Sequence, residues 1–383
     1  MNWQIPLADL DYGPEEEEAV LGVLRSRWLT MGAVTKDFEG RFAERHGVKH
    51  AIAVSNATQA LHLACVAAGL GPGDEAIVPA MTFVATANAV RYTGAEVRFA
   101  DIIGPEELNL SPAGLKATIT PQTKAILVVH YAGYPCRMEP IREIARRYKL
   151  FLIEDAAHAP GASLNGKMLG TWGDAGCFSF FSNKNLSTGE GGMLVTDLDD
   201  VAEKVRLLRS HGMTSLTLDR HEGRAYSYDV VGLGYNYRID EIRSALGLAQ
   251  LAKLDAGNAR RRDFTHRYWD GLAGTGLGLP FLDTAGEPSY HIMPILLPEG
   301  ADRKAFIDAL RADGIQTSIH YPPVHTFTHY RERYPDVSLS ETETAAAREV
   351  TLPLYPGMGA EKVDLVVEAV KRALDGPTRR IQI

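Results

Sequence analysis

Along the first half of the chain, short apolar runs alternate with stretches whose apolar residues recur at helical spacing. The runs at 50–55, 75–79, 96–100, 125–130, 150–154, 177–181 and 193–196 read as strands, and 58–68, 83–92 and 140–148 between them as helices. An earlier helix is predicted over 14–26, where Pro14 occupies the first turn and Glu15 to Glu18 put negative charge at the positive end of the dipole. Short apolar strands separated by helices predict an α/β layer with a mostly parallel central sheet. From about Arg238 the pattern is helical through Tyr268, long enough to bridge two units. A strand at 290–297, a helix at 303–312, a strand at 316–321 and a terminal helix at 360–373 then predict a smaller α+β unit. The expected division is 1–250 for a large α/β domain and 251–383 for a small C-terminal α+β domain. The sequence contains no internal repeat and no low-complexity segment.

Bulk properties narrow the function classes. A chain of 383 residues, 45% hydrophobic and 23% charged, has the balance of a globular protein with room for two cores. The net charge of -8 argues against a surface built to neutralise nucleic-acid phosphates. It leaves a local basic pocket for a small anion open. No apolar run approaches the roughly 20 residues of a membrane span, and Met1 to Pro6 do not resemble a secretion signal. Cys65, Cys136 and Cys177 are few and widely spaced, as in neither a disulfide framework nor a CxxC metal pair. The expectation is a cytoplasmic enzyme.

Four local features could carry chemistry. Asp155 closes the strand near 150–154, and ligands of open α/β sheets bind beyond the carboxyl ends of strands; a helix cap or solvated strand end is the plain alternative. Ser179-Phe180-Phe181-Ser182-Asn183-Lys184-Asn185-Leu186 runs into Gly189-Glu190-Gly191-Gly192, so a strand delivers Lys184 into a glycine-rich return. A desolvated lysine there can act as a nucleophile toward an aldehyde, whereas most lysines only solvate a surface. The strand ending in Val54-Ser55-Asn56-Ala57-Thr58 opens a helix whose N–H groups could hold a phosphate, or which Ser55 or Asn56 merely caps. The segment lacks the GxxxxGK[ST] of a nucleotide loop. Phe83, after the strand at 75–79, could stack on a flat heterocycle or belong to the core. His320, His325 and His329 do not suggest a metal, because Pro322 and Pro323 break helical spacing and no acidic ligand is near in sequence. Arg260-Arg261-Arg262 reads as a solvated helix face or as a contact to a sugar diphosphate.

Taken together, these phrases resemble one family. Gly71-Pro72-Gly73-Asp74-Glu75, Ile119-Thr120-Pro121-Gln122-Thr123-Lys124-Ala125, Glu154-Asp155-Ala156-Ala157-His158-Ala159, the Lys184 segment and His320-Tyr321-Pro322-Pro323-Val324-His325 occur in order over nearly the whole chain. The chain resembles the DegT/DnrJ/EryC1/StrS aminotransferases, enzymes of pyridoxal-phosphate (PLP) fold type I, like aspartate aminotransferase, that act on nucleotide-activated keto-sugars. The resemblance implies that Lys184 carries pyridoxal 5'-phosphate as a Schiff base and that Asp155 pairs with the pyridine nitrogen. It places His158 near the phenolic oxygen, Phe83 on one ring face, and Ala57, Thr58 and Ser179 at the phosphate. Asn236 would reach that phosphate from a partner subunit, which implies a homodimer with shared sites. His320, Tyr321 and His325 are expected at the substrate.

Within the family, His130-Tyr131-Ala132-Gly133 and the segment from His211 to Tyr235 resemble the branch that aminates C4 of the sugar, with glutamate as amino donor. Rival readings are a transaminase for a C3 keto-sugar, a keto-inositol or an eight-carbon keto-acid sugar, a dehydratase of the same family, and a non-catalytic regulator. Dehydratases of the family replace the lysine with histidine, and the Lys184–Asp155 pair argues against a regulator.

Overall fold

The computed structural model describes residues 3–215, 221, 223 and 225–375. Seven strands form the central sheet: β1 (His50–Val54), β2 (Glu75–Pro79), β3 (Glu96–Ala100), β4 (Thr123–Val129), β5 (Phe151–Asp155), β6 (Ala175–Ser179) and β7 (Gly192–Thr196). Their order across the sheet is β1-β7-β6-β5-β4-β2-β3. Only β7 is antiparallel to its neighbours; the pairs β6–β5, β5–β4, β4–β2 and β2–β3 are all parallel. These strands show no polar–apolar alternation because both faces are covered. Ala53, Ile77, Ile126 and Leu152 pack into one layer, and Ile52, Val78, Leu127 and Ile153 into the other.

The predicted N-terminal helix is α1 (Pro14–Ser26), with Pro14 in its first turn and Glu15 to Glu17 at its positive end. The helix α2 (Ala33–His46) is capped from afar. The buried carboxylate of Glu241 accepts from the N–H groups of Gly32, Val34 and Thr35 at 2.8, 2.8 and 2.9 Å, and from Thr35 Oγ1 at 2.6 Å. Between β1 and β2 lies α3 (Ala57–Ala67), and after β2 lies α4 (Ala85–Arg91).

The long helical pattern is one helix, α5 (Glu241–Leu272), of 32 residues, about 48 Å at 1.5 Å per residue. It passes unbroken through residue 250. Its first half lies against α1 and α2, and Leu254 enters the core beneath the sheet. Its second half supplies Tyr268 and Leu272 to another core with Met293, Ile295, Val350, Leu352 and the terminal helix α6 (Ala360–Asp375). Ile5, Met81, Tyr131 and Tyr134 enter that core too, so the two units are sewn together by the N-terminal segment and by segments that follow β2 and β4.

In the smaller unit, β8 (Met293–Leu296) pairs antiparallel with β9 (Glu349–Leu352). The expected strand at 290–297 is thus shorter. Ser289 and His291 give their N–H groups to the carbonyls of Gly133 and Ala132 instead. The expected strand at 316–321 is not one. Ser318 makes a single bridge to Thr351, His320 N–H turns to the Glu349 carboxylate, and Pro322 and Pro323 have no N–H to continue a ladder. Among the described residues no helix is long and apolar enough to cross a membrane, and no group of three or more His, Cys, Asp and Glu side chains could hold a metal ion.

Candidate active site

Asp155 is the last residue of β5, the middle strand of the sheet, and only 6% of it is exposed. Cys177 and Val129 flank it on the neighbouring parallel strands. Its carboxylate accepts from Thr86 Oγ1 at 2.7 Å and from Ala157 N–H at 3.2 Å. Since Thr86 spends its proton on the carboxylate, Thr82 Oγ1, 2.8 Å away, is the donor to Thr86. Burial raises the carboxyl's pKa, while the Thr86 and Ala157 bonds and the Lys184 charge oppose the rise. Among the described residues its bonds come from a hydroxyl and a backbone N–H, not from a cation. Such a carboxylate is costly alone and suited to a cationic ligand.

Lys184 sits in the β6–β7 return, with its N–H bonded to Phe181 O at 2.8 Å. Desolvation lowers its pKa to about 7, against the raising influence of Asp155. At neutral pH a large share of this amine is therefore unprotonated and nucleophilic. Lys184 Nζ lies 3.3 Å from His291 Nε2. The adjacent Asn185 bonds His291 Nδ1 at 2.9 Å through Oδ1, and its Nδ2 donates to Asn258 Oδ1 at 2.8 Å and Ser289 O at 2.7 Å.

The third element is the N-terminus of α3. Asn56 caps it, accepting from Gln59 N–H at 3.0 Å, so the plain capping reading holds for Asn56. The first-turn N–H groups of Ala57 and Thr58 still point out of the helix as an anion cradle. Gly192 explains how β7 comes so close: a Cβ there would lie 2.5 Å from the Asn56 carbonyl carbon. Ser179 ends β6 opposite Gly192. Ser55 instead donates its hydroxyl to Arg238 O at 2.7 Å.

His158, three residues after Asp155, is buried. Its Nδ1 accepts from Ala132 N–H at 3.2 Å, so its proton is on Nε2, 3.0 Å from the Tyr321 hydroxyl. Burial and the Lys184 charge push its pKa well below the ordinary histidine value. Tyr321 also meets Phe83, ring centroids 5.9 Å apart, and Phe83 is 57% exposed, leaving ring surface free. His320 Nδ1 is 2.8 Å from Thr351 Oγ1, and burial lowers its pKa to about 4, with a smaller push from Lys184.

Two residues named from sequence lie elsewhere. His325 is buried, with Nε2 3.0 Å from Glu343 and its ring against Phe99. Asn236 is exposed in a segment bridged to Ser210. His329 is exposed on a short helix. The arginine triplet divides: Arg260 and Arg262 face solvent. Arg261 is buried and donates to His291 O at 3.0 Å and Leu354 O at 2.9 Å.

This donor set fits pyridoxal phosphate. Asp155 is an acceptor for a protonated ring nitrogen, Lys184 is an amine ready to join an aldehyde, and the α3 N-terminus is a phosphate cradle. Phe83 offers an open ring face. Sequence reasoning missed Thr86, Asn185 and His291 as site residues. Thr86 carried a weak signal in its i, i+4 spacing from Thr82, and Asn185 in its adjacency to Lys184; His291, 107 residues from Lys184, carried none.

Comparison with known proteins agrees with the geometry. Residues 11–371 match the DegT/DnrJ/EryC1/StrS aminotransferase family. The spore coat polysaccharide biosynthesis protein SpsC of Bacillus subtilis (strain 168) is 40% identical over 372 residues, 95% of each chain. PseC of Helicobacter pylori, an aminotransferase involved in the biosynthesis of pseudoaminic acid, superposes with a TM-score of 0.90 at 29% identity, covering 97% of this chain and 99% of that one. DesV of S. venezuelae does so with a TM-score of 0.86 at 35% identity, covering 94% of each. With this match over nearly its whole length and a lysine–aspartate site at the end of a fold-type-I sheet, the chain belongs to the DegT/DnrJ/EryC1/StrS family and is a PLP-dependent sugar aminotransferase.

Proposed function

We propose that the chain transfers the amino group of glutamate to C4 of a nucleotide-linked 4-keto-6-deoxy sugar, working in the cytoplasm as a homodimer. The observation that carries the choice of C4 is the place of the His130–Gly133 segment, which carries the C4-type resemblance. Ala132 N–H holds His158 Nδ1 and Tyr131 donates its hydroxyl to His320 O, so this segment forms a wall of the cofactor pocket. Gly133, with φ of +86°, permits the approach, since a Cβ there would lie 2.2 Å from Ser289 Oγ.

The cofactor supplies an electron-withdrawing ring that stabilises negative charge on the carbon gaining or losing the amine. Lys184 Nζ takes a proton from one carbon and returns it to another, as general base and then acid. Asp155 keeps the ring nitrogen protonated and so sustains that withdrawal. His320 and Tyr321 line the side from which the sugar enters. His325, held by Glu343, supports the loop bearing them.

The dimer is supported by exposed apolar side chains near Asn236: Tyr226 is 98% exposed, Leu233 87% and Val231 58%. In this reading Asn236 completes the phosphate site of the partner subunit. Mixing Lys184→Ala with Asn236→Ala subunits then yields one hybrid site with both defects and one with neither, restoring up to about half the wild-type rate per mixed dimer. Verified heterodimers without recovery would place Asn236 in its own chain's site.

Incubating the PLP-loaded enzyme with glutamate and a panel of nucleotide keto-sugars, with products identified by mass and NMR, tests the assignment. The amine is expected at C4; an amine at C3, or turnover only with a keto-inositol or an eight-carbon keto-acid sugar, overturns it.

A further inference from the structure

We propose that His291 is a positioning residue for Lys184: its Nε2 lone pair accepts a hydrogen from the lysine amine and holds Nζ in place whenever that amine is not joined to the cofactor. A chain of fixed donors and acceptors leads to Lys184. Asn258 donates Nδ2 to Pro160 O at 2.9 Å, so its Oδ1 faces Asn185. Asn185 spends both Nδ2 hydrogens on Asn258 Oδ1 and Ser289 O, which leaves its Oδ1 for His291 Nδ1. An amide oxygen can only accept, so Nδ1 carries the ring proton and Nε2 is bare toward Lys184 Nζ, 3.3 Å away.

The imidazole is held by Asn185 and His158, and its backbone is anchored on both sides. His291 N–H is tied to Ala132 O at 2.8 Å, its carbonyl to the Arg261 guanidinium, and its ring rests against His158 with centroids 4.4 Å apart. Burial keeps the ring neutral, helped by the positive charge of Lys184 and Arg261 nearby. The other titratable groups about this pair are Asp155, His158 and His320. A flexible four-carbon side chain that must leave and re-enter a covalent bond in each cycle gains a defined resting place from one such acceptor.

The test reads the free amine itself. In the cofactor-free protein, the pH dependence of Lys184 labelling by an amine-acylating reagent, followed by peptide mass mapping, reports its protonation. A neutral acceptor favours the ammonium form, so His291→Leu should lower the labelling midpoint from about 7 by about one pH unit. It should also slow turnover about tenfold or more with little change in KM. His291→Gln, which offers an amide oxygen near the same place, should restore the midpoint and most of the rate. A wild-type midpoint in a folded His291→Leu protein overturns the proposal, as does a Gln variant that behaves like Leu. If the Leu variant does not fold, ¹⁵N-histidine spectra of the wild type decide, with the His291 signals assigned by their loss in His291→Gln. A neutral ring protonated on Nδ1 supports the assignment; an Nε2-protonated ring refutes it.

Discussion

Replacing Asp155 with Asn separates the carboxylate's charge from its place in the fold. Asn keeps the shape, and its Oδ1 can still accept from Ala157 N–H, now 3.2 Å from Asp155 Oδ1. Its Nδ2 would face Thr86 Oγ1, which can reverse and turn its proton to Phe83 O, 3.2 Å away. Every bond has a replacement and a buried charge disappears, so stability should stay within about 1 kcal/mol of wild type or rise. Activity should not survive. If the carboxylate is the partner of the ring nitrogen, as proposed, a loss of about a hundredfold or more is expected, about 2.7 kcal/mol of transition-state stabilisation. Lys184 also loses the anion that raises its pKa, so its titration should fall further below about 7. Thermal melts should be run beside single-turnover absorbance changes with saturating glutamate. A folded Asp155→Asn enzyme with the wild-type single-turnover rate would refute the role given to this carboxylate.

Two further outcomes concern the scaffold. His46, buried and stacked on Phe42, is held neutral by desolvation down to about pH 4 against an ordinary value of 6.5. The unfolded chain therefore takes up that proton first, and stability falls from about pH 6.5 to about pH 4, by about 3 kcal/mol. His46→Phe should flatten that stretch of the acid-unfolding curve; an unchanged slope would contradict the assignment. Glu241→Ala leaves the α2 N-terminus uncapped inside the protein, with several buried donors unsatisfied. It should cost about 3 kcal/mol, seen as a clear drop in melting temperature, and a drop under 1 °C would contradict the cap.

The sheet was legible because its strands are buried on both faces and so appear as unbroken apolar runs, and because helices intervene between most of them. The smaller unit was less so. Residues 349–352 escaped notice because Glu349 and Thr351 look like surface residues; buried, they are satisfied by each other and by the His320 backbone and ring. The run at 316–321 has strand-like composition but scatters its N–H groups over the Ile5 carbonyl, one bridge to Thr351 and the Glu349 carboxylate. In the site, Asp155 and Lys184 are carried by local phrases that can be read without a structure. The groups that tune them come from distant parts of the chain. Nothing near Ser289-Tyr290-His291 announces that its imidazole meets Lys184, and nothing in an arginine triplet says that only Arg261 turns inward. Such pairings arise when the long helix and the β8 approach close over the sheet edge, and sequence spacing does not encode them.

In the proposed reaction Lys184 is the amine that holds the cofactor. Borohydride reduction of the PLP-loaded protein, followed by proteolysis and peptide mass mapping, tests it directly. The cofactor mass should appear on the peptide containing Lys184 and should be lost in Lys184→Ala; stoichiometric label on any other lysine would contradict the claim.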